Sequence, residues 1–293
     1  EYFRRAVALD STYAAAWVGV ARMTSRSVGS GSPAARKQAR EESEAAVRKA
    51  LALDDSLAEA HALLGVLRAI ALDDTAEWHF RRALALEPDR SRAREWFVDY
   101  LMATGRPAQA LAEAERAVEL DPMSPTGTAE LARALAMNGR CDEALARLEA
   151  IQAVDPPPLR VAGLRARCLA RKGRWDDALA ALRPQAARDS TATLALLGYM
   201  SARAGRREEA AAIQARLLQR RQSGRIDAIH LAYVPAALGD RDRAFAWLDS
   251  AVVEGSLRFA PGLLVDPTDA PFDMLEGDPR LPRYQARLGR QNR

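Results

Sequence analysis

The chain repeats one arrangement of small, apolar and polar positions about every 34 residues. A phrase of the form Ala-x-x-Leu-Asp, or a close variant of it, recurs with steps of 44, 33, 34 and 34 residues and ends at Asp10, Asp54, Glu87, Asp121 and Asp155. A glycine followed by Arg or Asp recurs with steps of 34, 34, 32 and 34 residues, at Gly105, Gly139, Gly173, Gly205 and Gly239. Two independent markers with the same period indicate a chain built from structural repeats.

Each repeat is predicted to fold as two helices joined by a tight turn. The glycine ends the first helix, where a left-handed residue is needed. The Asp-Pro or Glu-Pro pairs end the second helix, because proline disfavours a helical conformation in the residue before it. Five residues after each glycine stands an alanine that lets the two helices approach closely, at Ala110, Ala144, Ala178, Ala210 and Ala244. One such hairpin cannot bury its apolar face alone, so the repeats are expected to stack.

These units resemble tetratricopeptide repeats. The family's second-helix ending, Ala-x-x-x-Phe-x-x-Ala-x-x-x-x-Pro, is present as Ala76, Phe80, Ala83 and Pro88, and its first-helix signature as His61, Leu64 and Gly65. The resemblance covers residues 1–254. It implies an all-α fold, a right-handed superhelical solenoid of stacked antiparallel helix pairs, in which residues 1–10 form a lone second helix followed by about seven helix pairs.

Some segments depart from the repeat. Residues 29–33 are a turn-rich insertion, whereas Pro184 and Pro235 lie inside predicted helices that they are expected to kink or end. From residue 255 the pattern stops, and residues 255–293 are predicted to be a capping segment over the last repeat. Its final helix is expected to have Asp278 as N-cap and Pro279 in the first turn, and to reach about Leu288.

The composition favours helices and excludes several classes of protein. Apolar residues make up 48% of the chain and aromatic residues only 6%, which disfavours a β-sandwich or barrel. No apolar run approaches the roughly 18–20 residues that span a bilayer, so membrane insertion of this segment is not expected. The net charge of +4 is modest for 293 residues, and nucleic acid is therefore an unlikely partner.

Residues suited to catalysis or metal binding do not form a recognisable motif. The chain has no GxxxxGK[ST], GxGxxG or GxSxG sequence, and it is predicted to have no catalytic residue, cofactor or metal. Cys141 and Cys168 are predicted to be buried or partly buried free thiols. His61 is expected in the core, His79 at the surface and His230 near the concave groove.

The resemblance implies a groove lined by the first helix of each repeat. Family positions that tend to face this groove are occupied by Arg133, Arg167, Arg171, Tyr199, Arg203 and Tyr233. Arginine forks bind carboxylates and phosphates, so the expected partner is a protein or peptide, acidic or phosphorylated. The alternative is that the arginines are a solvated surface, since all but three of the 43 basic residues are arginine.

The expected function is that of a non-enzymatic protein–protein interaction scaffold or a sensory module. Because the chain opens inside a helix and without Met, it is expected to be a fragment of a larger bacterial signalling protein, located in the cytoplasm. Its C-terminal part resembles the ends of tetratricopeptide regions attached to bacterial serine/threonine kinases, adenylate cyclases and winged-helix regulators. The alternatives are therefore a regulatory region of a parent kinase or cyclase, or a helical module of a transcription activator.

Overall fold

All regular structure that the computed structural model describes is helical. The described residues are 1–26, 33–71, 73–151, 161–188, 190–223, 226–254 and 273–287. Within these ranges there is no strand, and the α-helices are α1 (Tyr2–Leu9), α2 (Ala14–Ser25), α3 (Pro33–Leu53), α4 (Ala58–Ile70), α5 (Ala76–Leu86), α6 (Ser91–Ala103), α7 (Pro107–Leu120), α8 (Pro125–Met137), α9 (Cys141–Ala150), α10 (Val161–Arg171), α11 (Trp175–Ala187), α12 (Thr191–Arg203), α13 (Arg207–Gln222), α14 (Tyr233–Ala237), α15 (Arg241–Val253) and α16 (Leu281–Arg287). The expected all-α array of sequential antiparallel helix pairs is confirmed.

The helices belong to two compact units. The first unit comprises Glu1–Tyr100 and Ala112–Pro122, and the second comprises Leu101–Leu111 and Met123–Arg293. In the first unit, α1 packs on α2, α2 on α3, α3 on α4 and α4 on α5. The lone helix expected at residues 1–10 is therefore present as α1.

Close helix contacts in the first unit depend on glycines that face aromatic rings. A Cβ atom on Gly65 of α4 would lie 3.1 Å from ring carbons of Phe80 on α5, which is tighter than ordinary van der Waals contact. Phe80 is almost completely buried and stacks on Phe97 with 5.5 Å between the ring centres. Gly65 and Phe80, the two signature residues found in the sequence, therefore make one packing contact.

In the second unit the same arrangement recurs in consecutive helix pairs. Helix α8 packs with α9, α10 with α11 and α12 with α13, and α10 also contacts α9, as α12 contacts α11. The apolar side chains of α10 to α16 form one continuous buried cluster. Ala144, Ala178 and Ala210 have no exposed surface, as expected for residues at a close helix contact.

The five marker glycines end the first helices as predicted. All have a positive φ, between 73° and 80°, a conformation in which a Cβ atom is strained. After each glycine the next N–H donates to the carbonyl five residues earlier at 2.8 to 3.0 Å, as Arg140 does to Leu135. This is the Schellman arrangement, which satisfies carbonyls that the helix end leaves without a donor.

The two prolines inside predicted helices have different effects. Helix α11 continues through Pro184 to Ala187, so the expectation that this proline might end the helix is wrong. Pro235 does interrupt its helix: a 3-10 helix over Ala228–Ala232 precedes the short α14. Because Pro235 has no N–H, the carbonyl of Leu231 lacks its usual donor four residues later. The buried Gln214 Nε2 donates to that carbonyl at 3.2 Å instead.

The C-terminal helix α16 packs into the core of the second unit. Leu281 and Tyr284 are buried, and the Tyr284 ring stacks on Phe245 of α15 with 5.5 Å between the ring centres. Asp278 Oδ1 accepts from the N–H of Arg280 at 3.0 Å, and α16 begins at Leu281 rather than at the predicted Pro279. The expected end at Leu288, the insertion loop at 29–32 and residues 255–272 lie outside the described residues.

A histidine pair lies between α4 and α5. His61 is buried, as expected, but His79 is partly buried against it rather than at the surface, so the sequence prediction for His79 is wrong. His61 Nε2 lies 3.0 Å from the carbonyl of Asp55 and must donate to it. His61 Nδ1 is then an acceptor, and it lies 3.2 Å from His79 Nδ1, which must carry the proton.

The environment of this pair favours the neutral form of both rings. Burial lowers the pKa of His61 and is the main reason that the pKa of His79 falls to about 4, with the nearby His61 and Arg68 contributing. Trp78 covers the pair, with 4.9 Å between its ring centre and that of His79. A second proton on the pair would remove the acceptor of its hydrogen bond.

We predict that Ala144→Leu lowers the free energy of unfolding by about 1–3 kcal/mol, because the larger side chain overpacks a contact with no exposed surface. The matched control is Ala146→Leu on the exposed face of the same helix, which should change stability by less than about 0.5 kcal/mol. Chemical denaturation of the three proteins measures both values. Equal effects of the two substitutions would show that Ala144 does not lie at a tight interface.

We also predict that the His61–His79 pair makes stability depend on pH. The folded-state pKa of His79, about 4, lies below its ordinary value of 6.5, so on acidification the unfolded chain takes up the proton first. This contribution to stability is complete above about pH 6.5 and is lost as the pH falls toward 4. Since His79 is only partly buried, we expect a loss of about 1–2 kcal/mol.

The control for this prediction is His79→Gln, whose side chain can still donate to His61 but does not titrate. Denaturation between pH 7 and about 4 should show a smaller loss of stability for the variant than for the natural chain, because carboxylates contribute equally to both. Parallel curves for the two proteins would contradict the assignment.

Candidate interaction groove

Three first helices of the second unit lie side by side and carry the predicted groove residues. Helix α10 contacts both α8 and α12. Arg133 is on α8, Arg167 and Arg171 are on α10, and Tyr199 and Arg203 are on α12. Because Arg133 and Arg167 are one 34-residue step apart, and Arg171 and Arg203 one 32-residue step, neighbouring helices present them at corresponding places.

Arg171 joins two of these helices. Its side chain is exposed, and its Nη1 donates to the backbone carbonyl of Ala136 in the last turn of α8 at 3.0 Å. Carbonyls at a helix C-terminus carry partial negative charge, which favours a cation there. The contact therefore orients the Arg171 guanidinium at the ends of α8 and α10.

Arg203 is held in a similar way one repeat later. Its Nη1 donates to the hydroxyl of Tyr199 at 3.0 Å, and its Cζ lies 5.9 Å from the centre of the same ring. The Tyr199 ring is only 7% exposed and is therefore a rigid support for the guanidinium. Arg203 is partly buried in the last turn of α12.

The other two arginines are less accessible. Arg133 Nη2 lies 2.7 Å from Glu130 Oε2, and the two side chains are only 12% and 10% exposed. Arg167 is partly buried and lies back over Gly163, where a Cβ atom would be 3.9 Å from its Nη1. Arg133 thus already has a carboxylate partner, which the i,i+3 spacing to Glu130 could have indicated.

The predicted tyrosines are part of the core rather than an open surface. Tyr199 and Tyr233 are 7% and 3% exposed and belong to the buried cluster of the second unit. Tyr233 lies in the short α14, with its ring centre 5.8 Å from that of His230. His230 is partly exposed as a residue, but burial of its ring lowers its pKa. The part that either tyrosine plays in binding stays a prediction.

The first unit differs because its groove-facing charges are paired with each other. Glu59 of α4 lies between two arginines: its Oε1 is 3.1 Å from Arg22 Nη1 of α2, and its Oε2 is 3.4 Å from Arg90 Nη1. Hydrogen bonding to Glu87 and attraction to Glu59 raise the pKa of Arg90. Such a chain of ion pairs leaves less charge for a partner than the arginines of the second unit.

Two further classes of site were tested on the described residues. No group of three His, Cys, Asp or Glu side chains there could hold a metal ion, and no helix combines the length and the apolar character that crossing a membrane requires. Cys168 is buried and Cys141 partly buried, and both are free thiols, as predicted.

Comparison with known proteins identifies the repeats. Residues 101–168 match a family described as tetratricopeptide repeat, whereas no curated protein matches the chain. Among solved structures, the chain is similar to PilF of Pseudomonas aeruginosa, with 20% identity and a TM-score of 0.56 over 72% of this chain and 92% of PilF.

Two further solved structures show the same fold. One is PilW, described as a widely conserved type IV pilus biogenesis factor, with 21% identity and a TM-score of 0.56 over 73% of this chain and 98% of PilW. The other is the Cut9–Hcn1 hetero-tetramer of the APC/C, with 12% identity and a TM-score of 0.52 over 85% of this chain and 52% of the matched chain. The protein thus carries tetratricopeptide repeats at residues 101–168, and its described helices have the fold of a tetratricopeptide array.

Proposed function

We propose that the chain is a protein-interaction module whose second unit binds an extended acidic peptide across α8, α10 and α12. The observation that carries the proposal is the pair of contacts Arg171–Ala136 and Arg203–Tyr199, at 3.0 Å each. They hold two guanidinium groups in fixed orientations at the ends of consecutive first helices. An arginine that is already ordered loses less conformational entropy when it binds a ligand.

The chemistry of these residues favours a carboxylate or phosphate ligand. Planar guanidinium groups form paired hydrogen bonds with both anions. Arg167 lies on the same helix as Arg171 and supplies a third cation. Arg133 is a less suitable contact, because releasing it for a ligand would leave Glu130 in a nearly buried position without its partner.

Part of the proposal concerns the longer protein to which this segment could belong. We propose a scaffold or regulatory role rather than catalysis, since the described residues bring together no metal site and the sequence has no nucleotide-binding or nucleophile motif. A parent kinase, adenylate cyclase or transcription activator is a hypothesis that rests on the C-terminal resemblance alone. The likeness to PilW supports the fold and does not select a pilus-related role.

We predict that Arg171→Glu/Arg203→Glu weakens the binding of an acidic peptide by about tenfold or more at low salt. Fluorescence anisotropy with labelled Asp/Glu-rich, phosphoserine-containing and uncharged peptides of one length measures the affinity. Binding by the natural chain should also weaken as salt is raised. Arg171→Gln/Arg203→Gln should give an intermediate loss.

The matched control is Arg216→Glu, which makes the same charge change on the exposed face of the second helix α13. It should leave the affinity within about twofold of the natural chain, because the charge is on another surface and is screened by salt. Equal losses in the control and the double variant would contradict the proposed surface. Binding of duplex DNA that the double variant abolishes, with no peptide binding, would favour the nucleic-acid alternative.

A further inference from the structure

The two cysteines of the chain meet at the boundary between consecutive repeats. Cys141 is the first residue of α9, the second helix of one repeat, and Cys168 lies on α10, the first helix of the next. Helices α9 and α10 pack on each other. The two thiol groups are within hydrogen-bonding contact, although 27 residues separate them in the sequence.

Neighbouring contacts hold this boundary in register. Lys172, one turn after Cys168, forms an ion pair with Asp142, the residue after Cys141. Arg171 Nη1 donates to the carbonyl of Ala136 on the preceding helix at 3.0 Å. Both contacts cross the same boundary as the thiols, so the sulfur atoms stay close without a covalent bond.

We propose that Cys141 and Cys168 are a redox modification site at which an intramolecular disulfide forms and ties α10 to α9. The required oxidant is a small disulfide such as oxidised glutathione. The Cys141 thiolate attacks one sulfur of glutathione disulfide, forming a mixed disulfide and releasing one glutathione thiolate. The Cys168 thiolate then attacks Cys141 Sγ and releases the second. Two protein thiols are oxidised, one small disulfide is reduced to two thiols, and the protons pass to solvent.

The burial of the two side chains sets the order of these steps. Cys141 is partly exposed, whereas Cys168 is 1% exposed. Burial, together with the adjacent Cys141, raises the pKa of Cys168 to about 12. Cys141 is therefore the thiol that meets the oxidant, and ring closure by Cys168 is the slower step, because only a thiolate attacks.

The test uses the full chain, reduced and then treated with excess oxidised glutathione at about pH 8.5, where a larger fraction of thiols is ionised than at neutral pH. Intact mass and non-reducing peptide mapping follow the products. We expect the natural chain to lose two hydrogen atoms and to yield one linked peptide containing Cys141 and Cys168. Reduction should restore the starting mass, and the oxidised form should melt several degrees higher, since the bond constrains the unfolded chain.

Two variants separate the steps. Cys168→Ala keeps a small apolar side chain in the buried position and should stop at a glutathione adduct on Cys141. Cys141→Ser should react at least about tenfold more slowly than the natural chain, because its remaining thiol is buried. Circular dichroism establishes that both variants are folded. The proposal is overturned if the natural chain also stops at the adduct, if it forms linked dimers, or if the internal bond appears only in denaturant.

Discussion

A close contact between two helices, made possible by an alanine, determines the geometry of each repeat. Ala144, Ala178 and Ala210 stand five residues after their turn glycines and have no exposed surface. The distance between packed helices depends on the size of the side chains at their contact, so these small residues hold both helices at one separation from repeat to repeat. With the separation and the turn constant, residues one repeat apart point in corresponding directions. The row of arginines on α8, α10 and α12 is a consequence.

The last repeat shows how the array absorbs a local violation of its pattern. Pro235 cannot donate a hydrogen bond within the first helix, and the chain replaces that helix by a 3-10 segment and the short α14. Gln214, from the neighbouring α13, donates to the carbonyl of Leu231 that the proline leaves without a donor. Glu254 accepts from the N–H of Ala228 at 3.2 Å and so fixes the start of the same segment. Side chains thus take over the function of missing backbone donors and acceptors.

The features that depend on sequence spacing could be predicted, whereas those that depend on side-chain depth could not. The turn glycines, the buried alanines and the Gly65–Phe80 contact all follow from the 34-residue period. That period gives the direction of a side chain but not its burial or its partner. It therefore assigned Tyr199 and Tyr233 to a groove although the structure buries both rings, and it placed His79 at the surface although the ring contacts His61. For Arg133, the nearby Glu130 was a local signal that the period alone does not use.

The central claim is that a partner lies across the first helices of the second unit, and hydrogen exchange with and without a bound acidic peptide tests it most directly. The account predicts that slowed exchange is concentrated in α8, α10 and α12, especially around Arg171 and Arg203, while α9, α11 and α13 change little. Slowed exchange confined to α9, α11 and α13, or no change at saturating peptide, would contradict it.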